Sequence, residues 1–271
     1  MFVTDQSHLP KNLTSYDVWK ALAVLIMIID HVGYYLYPED MAWRAIGRWC
    51  VPIWFFLVGY ALSRETGPRL WISGAIIVAV TFMLGLPLLP LNILFTILFV
   101  RYVLDAFVSK ASQSVQDVVM GAGALVLCYI PSAFFLEYGT VAIALALLGV
   151  VARARQTRPI SLEKQVLLFF GVMFFFITSQ WLGFGMSTDM ALLMSVGTIL
   201  TGGCMFATFK GAQVSDSRFW NTPILKSPLQ FFGRYTLEIY VLHLIILKTL
   251  SCILGVNSCS AFFFQPFPAF L

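Results

Sequence analysis

Charge is what this 271-residue chain has least of: Asp, Glu, Lys and Arg make up 11% of it, against 59% hydrophobic residues. A water-soluble surface cannot be assembled from so little polar material, and the mean hydropathy of +0.86 agrees. The 17 Lys and Arg are dispersed rather than gathered into a dense patch, which excludes a nucleic-acid-binding surface. With 3 His and 5 Cys, and no third ligand beside the two intramembrane histidines, the chain does not predict a metal site. The apolar runs also lack the strict alternation of barrel strands, so they have to be helices. There is no evident internal repeat and no soluble domain. The first fifteen residues are polar, and no small-residue cleavage site follows the first apolar run. That run is expected to be retained.

What is present is a series of apolar segments near the roughly 20 residues needed to cross the hydrocarbon. Nine spans are predicted, at 16–37, 42–63, 69–88, 91–109, 116–131, 134–152, 164–182, 188–209 and 229–254, with a range of eight to ten. The fold expected is an all-α polytopic membrane protein, one transmembrane domain over 1–271. Pro131 and Glu137 interrupt the fifth and sixth spans.

Orientation follows from the cations. With the N-terminus inside, the internal segments and helix ends hold Lys11, Arg64, Arg69, Lys110, Arg153, Arg155, Arg158, Lys164, Lys210, Arg218 and Lys226. The external links and their helix ends hold Glu39, Asp40, Glu137 and Asp189. This asymmetry predicts a cytoplasmic N-terminal segment (1–15) and a periplasmic tail (255–271) in a bacterial inner membrane. In that tail Cys259 is either disulfide-bonded to Cys252 or, like it, a free thiol in an apolar segment.

Depth sorts the ionisable residues, at about 1.5 Å per helical residue. His31 lies roughly 9 Å below the outer end of the first span, and Arg48 is about as deep in the second. His243 is about 21 Å up the last span, close to the same level. Lys20, eleven residues before His31, points the same way within roughly 20° at about 16 Å separation. Charges inside a membrane segment need a functional reason or a partner. Lys20, and likewise Arg44 and Arg48, either snorkel to the nearest surface or serve a site. Arg101/Asp105 and Arg234/Glu238 are i,i+4 pairs able to neutralise each other, or to reach neighbouring helices. Each histidine is either satisfied by a backbone carbonyl or is chemically active. Asp30 sits about 100° round the helix from His31, so the two are not automatically a dyad.

Three stretches resemble the integral-membrane acyltransferases: Lys20-x10-His31, Ile53 to Arg64 (IWFFLVGYALSR), and Gly233 to Leu247 (GRYTLEIYVLHLIIL). Within that superfamily the chain is most similar to the TraX type, named for conjugative-pilin N-acetylation. The features are Met27 before Asp30-His31, Ile46-Gly47-Arg48 followed by Pro52, and Leu91 to Thr96. The resemblance covers about 16–109 and 229–250. It departs at Cys50-Val51, where the family usually has an aromatic, and the tail after Leu250 has no counterpart.

The resemblance implies an acyltransferase taking an acetyl group from cytoplasmic acetyl-CoA to an acceptor reached from outside. That acceptor is a pilin or other exported protein N-terminus, or a hydroxyl of an envelope glycan or lipid. It implies His31 as general base, with Asp30, Arg48 and His243 in the catalytic group and Arg48 as oxyanion stabiliser. Lys20, Arg44, Arg64, Arg69, Arg101 and Arg234 are implied for the anionic acyl-CoA headgroup, and Tyr60, Asn92, Glu238 and Tyr240 for the acceptor. Direct transfer and an acyl-histidine intermediate both remain open. Two other classes compete: a proton-coupled transporter with Asp30, His31, Arg101, Glu238 and His243 as relay, and a membrane assembly factor. Reporter fusions at Gly67 and Pro266 are expected to fall on opposite sides of the membrane; the same side for both overturns the span count.

Overall fold

A computed structural model describes residues 10–111, 113–211, 219–220 and 222–259; Arg218, Pro266 and the rest of the expected tail beyond Cys259, and the first nine residues of the expected N-terminal segment, lie outside them. The described residues form twelve α-helices and one 3₁₀ turn, and the only extended pairing among them is an isolated bridge between Leu91 and Leu136. The all-helical expectation holds.

Helix α1 (Ser15–Leu36) starts where Thr14 and Asp17 form a capping box. The Thr14 hydroxyl accepts the Asp17 N–H at 3.2 Å, and the Asp17 carboxylate accepts the Thr14 N–H at 3.0 Å. The second expected span is not one helix. It divides into α2 (Met41–Gly47), a 3₁₀ turn (Arg48–Cys50) and α3 (Val51–Tyr60), with Pro52 in the first turn of α3. Helices α4 (Pro68–Met83) and α5 (Ile93–Ala111) follow. Then α6 (Val115–Leu127) and α7 (Tyr129–Phe135) meet at a 49° bend. The sixth expected span breaks as well. The chain leaves α7, turns through Tyr138 (φ 66°) and Gly139 (φ 46°), and enters α8 (Val141–Ala154). Helices α9 (Leu162–Phe184) and α10 (Thr188–Thr208) are continuous. The last expected span is two helices, α11 (Pro223–Arg234) and α12 (Thr236–Ile253), divided at Tyr235 (φ −95°, ψ 28°).

Four of these helices, α1, α9, α10 and α12, are long and apolar enough to cross a bilayer, and the bent pair α6–α7 makes a fifth if it counts as one span. Among the other expected spans, α5 has the length but carries Arg101, Asp105 and Lys110, while α4 and α8 are apolar but shorter, at 16 and 14 residues. The chain is a multi-pass membrane protein. Its outer surface fits that reading, because Phe174, Leu182, Leu200 and Leu127 are largely exposed and need lipid rather than water around them.

The centre of the bundle is α8, buried almost all round, which packs most extensively on α3. Glycines make that approach possible. A Cβ on Gly149 would run into the backbone of Phe56 and Tyr60, and one on Gly59 into the Ala146 carbonyl. In a membrane, where apolar burial gives little drive between helices, such close backbone contact supplies the packing energy. Gly149→Leu is therefore expected to separate α3 from α8 and lower the thermal midpoint in detergent, whereas Gly171→Leu, which meets nothing within 4 Å, leaves it unchanged.

Candidate functional site

The C-terminal half of α1 brings His31 against α12. His31 Nδ1 lies 2.7 Å from His243 Nε2, and His243 Nδ1 lies 2.6 Å from the Ile239 carbonyl oxygen one turn back. A carbonyl only accepts, so His243 Nδ1 carries the hydrogen. In the neutral ring Nε2 is then an acceptor, and His31 must donate to it from Nδ1. The chain of bonds therefore leaves His31 Nε2 as a bare lone pair. Tyr240 stands against both imidazoles, with ring centroids 6.0 Å from His31 and 5.8 Å from His243, and Tyr35 is 6.4 Å from His31. Both tyrosines are buried.

Beside this pair lies a buried ion cluster. Asp30 Oδ2 is 2.9 Å from Arg44 Nη1 and 3.6 Å from Arg48 Nη2. Asp30, Arg44 and Arg48 are 5%, 8% and 3% exposed. Gly47 admits the carboxylate, because a Cβ there would occupy the space of the Asp30 side chain. Arg48 Nη1 donates to the Tyr138 hydroxyl, and the Phe184 ring lies under both guanidinium groups, 4.8 Å from Arg44 and 4.7 Å from Arg48. Glu137 lies within electrostatic reach of the same arginines. Removing one member of such a cluster typically costs about 3–5 kcal/mol, since the charge left behind stays buried. Two buried atoms of this cluster have no hydrogen-bond partner among the described residues: Asp30 Oδ1 and Arg48 Nε.

A second group of charges occupies the other end of the bundle, near the start of α1. Arg234 Nε is 3.2 Å from Asp17 Oδ1, and its Nη2 is 2.9 Å from the Pro10 carbonyl. Arg64 Nε is 3.0 Å from Asp105 Oδ1, Arg69 binds Glu238, and Arg101 donates to the Glu65 carbonyl at 2.6 Å. Lys20 makes no ion pair among the described residues and holds its ammonium 5.8 Å from the Tyr16 ring centre.

The expected sites are thus partly regrouped. His31, His243 and Tyr240 come together, with Asp30 and Arg48 adjacent. Arg44 separates from the other implied acyl-CoA residues, because Asp30 holds it at the opposite end of α1 from Lys20. The i,i+4 pairs do not form. Tyr235 breaks the helix between Arg234 and Glu238, and Arg64 takes Asp105 in place of Arg101. Among the implied acceptor residues, Tyr60 is buried at the Lys20 end, its hydroxyl accepting from Gln156 at 2.7 Å. Glu238 is likewise held there by Arg69. Asn92 is an anchor: its Nδ2 donates to the Gly74 carbonyl and its Oδ1 accepts the Leu94 N–H, both at 3.2 Å. Sequence reasoning missed Asp17, Glu137, Tyr138, Tyr35 and Lys248 as site-shaping residues. The available signals were an acid three residues after Thr14, an acid interrupting an apolar run, and a lysine five residues beyond His243. Cys252 and Cys259 are disulfide-bonded, with Cα atoms 5.6 Å apart.

A family model described as TraX protein matches residues 15–251. The chain belongs to the TraX family. The TraX match takes in α6 to α10, where no motif was readable in the sequence, as well as the histidine pair and the ion cluster. A Rickettsia prowazekii (strain Madrid E) protein described as uncharacterized is 32% identical over 148 residues, 54% of this chain and 60% of that protein. The chain thus spans about three fifths of that curated relative. No solved structure matches it. In this TraX-family chain the ring tautomers are open to direct measurement. With histidine labelled in ¹⁵N, neutral His31 is expected as the Nδ1–H form and His243 likewise; an Nε2–H signal for His31 in the neutral state overturns the arrangement.

Proposed function

We propose that this protein is an inner-membrane acyltransferase that moves an acetyl group from cytoplasmic acetyl-CoA to an amine reached from the periplasmic side, the N-terminus of a pilin. The observation that carries this reading is the hydrogen-bond chain from His31 through His243 to the Ile239 carbonyl, which leaves His31 Nε2 without a hydrogen and without a hydrogen-bond partner among the described residues. Membership of the TraX family supports the reaction class and the pilin acceptor. Nine membrane crossings with the N-terminus inside accompany the proposal: α2–α3 and α11–α12 each count as one crossing, as does α8 despite its shortness.

In this reading the Lys20 end of the bundle faces the cytoplasm. Lys20 has no carboxylate partner among the described residues, and Arg64, Arg69, Arg101 and Arg234 ring the same end, so an anionic headgroup is attracted there. The eleven-residue step from Lys20 to His31 is about 16 Å, a path for the pantetheine arm between helices. At its end His31 Nε2 removes a proton from the acceptor amine as the amine nitrogen attacks the thioester carbonyl. A C–N bond forms, the C–S bond breaks, and the proton is returned to the departing thiolate. His243 shares the positive charge that His31 gains, through the 2.7 Å hydrogen bond. Arg44 and Arg48 supply positive potential where the oxyanion develops; their carboxylate partner Asp30 keeps them fixed rather than mobile.

The test is acetyl transfer by the purified protein, read as a mass gain of roughly 42 Da on an N-terminal pilin peptide. His31→Ala is expected to lower the rate by about 10²–10⁴-fold. Near-wild-type transfer by that variant, with an unchanged thermal midpoint, removes His31 from the chemistry.

A further inference from the structure

Lys248 lies on α12 five residues beyond His243, about 7.5 Å further along the axis. It is 8% exposed, yet it makes no side-chain hydrogen bond and no ion pair among the described residues. Its ammonium rests 5.2 Å from the centre of the Tyr35 ring, and Tyr35 in turn lies beside His31. A buried ammonium is costly unless something neutralises it.

The surroundings do not neutralise it. The cluster around the histidine pair contains three cations, Arg44, Arg48 and Lys248, and two carboxylates, Asp30 and Glu137. Asp30 is engaged by both arginines. Glu137 lies within electrostatic reach of those same arginines as well as of Lys248, so three cations stand against two carboxylates and one positive charge is left over. The other groups there, His31, His243, Tyr35, Tyr138 and Tyr240, bring no negative charge in their neutral forms. A second, independent sign comes from Arg48, 3% exposed, whose Nε–H has no acceptor among the described residues. Surplus positive charge and an unused guanidinium donor share one ligand requirement, an oxyanion.

We propose that Lys248, within this net-positive cluster beside the His31–His243 pair, is a binding site for a carboxylate or phosphate carried by the acceptor. The assignment of the anion to the acceptor rests on the acyl-transfer reading; the existence of the site does not. The site selects acceptors bearing a negative group close to the acylated atom, and leaves neutral ones weakly held.

The experiment measures anion binding without any turnover. The thermal midpoint of the purified protein in detergent is compared in sodium chloride, sodium acetate and sodium phosphate at equal ionic strength. The wild type is expected to gain about 2 °C or more in one of the oxyanions over chloride. A gain in acetate alone identifies a carboxylate, and a gain in phosphate alone a phosphate group. Lys248→Met, which removes the surplus charge, is expected to raise the midpoint in chloride and erase the oxyanion gain. Lys248→Arg should keep that gain. The proposal is overturned if the wild type gains nothing in either oxyanion, or if Lys248→Met keeps the gain. It is also overturned if Lys248→Met lowers the midpoint in chloride, because Lys248 is then the structural counter-ion of Glu137. Failure of acetyl transfer to any peptide counts against the proposed function and leaves these midpoints unaffected.

Discussion

A hydrogen bond between two imidazoles, one on the first helix and one on the last, governs how this protein is organised. It holds only if α12 lies directly against α1, and it fixes the ring state of both residues through the Ile239 carbonyl. Everything near it is arranged around the difficulty of keeping polar groups away from water. Asp30 gathers two arginines, and Phe184 covers both guanidinium faces. The local backbone is bent to suit. Tyr138 sits at φ 66°, a conformation that costs a non-glycine residue of order 1–3 kcal/mol, and its hydroxyl receives Arg48.

The two ends of the bundle solve the charge problem differently. Near the start of α1 the ion pairs link separate elements one to one: α11 to α1, the segment after α3 to α5, and α4 to α12. Two of them, Arg64–Asp105 and Arg69–Glu238, are partly solvated, and such pairs organise helices more than they stabilise them. At the far end of α1 the charges are pooled, buried and uneven in number. That contrast separates a scaffold from a site more clearly than the identity of any one residue.

How much of this could be read from the chain alone follows from what periodicity encodes. Long apolar runs predict helices, and the depths of His31 and His243 can be estimated from the rise per residue. Azimuth across different helices cannot. That is why Arg44 was grouped with the distant Lys20, and why Asp105 was paired with Arg101 although Arg64 reaches it first. Helix breaks were unevenly legible. Tyr235 carries no strong breaker signal, whereas Glu137, which interrupts the sixth expected span, stands directly before the turn at Tyr138-Gly139. Lys248 was overlooked because a lysine near a span end reads as a snorkelling residue, and only its burial in the folded bundle contradicts that. The TraX family match over 15–251 extends where the motifs stop.

The gap of 212 residues between His31 and His243 has a bearing on biogenesis. Arg44 follows Asp30 within fourteen positions, so that carboxylate gains its counter-ion as soon as the second hydrophobic segment enters the bilayer. His31 has no such early companion. It waits in lipid, or against a provisional neighbour, until synthesis is nearly finished and α12 inserts. Closure of the helical ring is then the last act of assembly. A nascent chain interrupted before that point has the Asp30–Arg44 pair in place, while Asp17 and Arg69 still lack Arg234 and Glu238 and His31 lacks the imidazole that orients it.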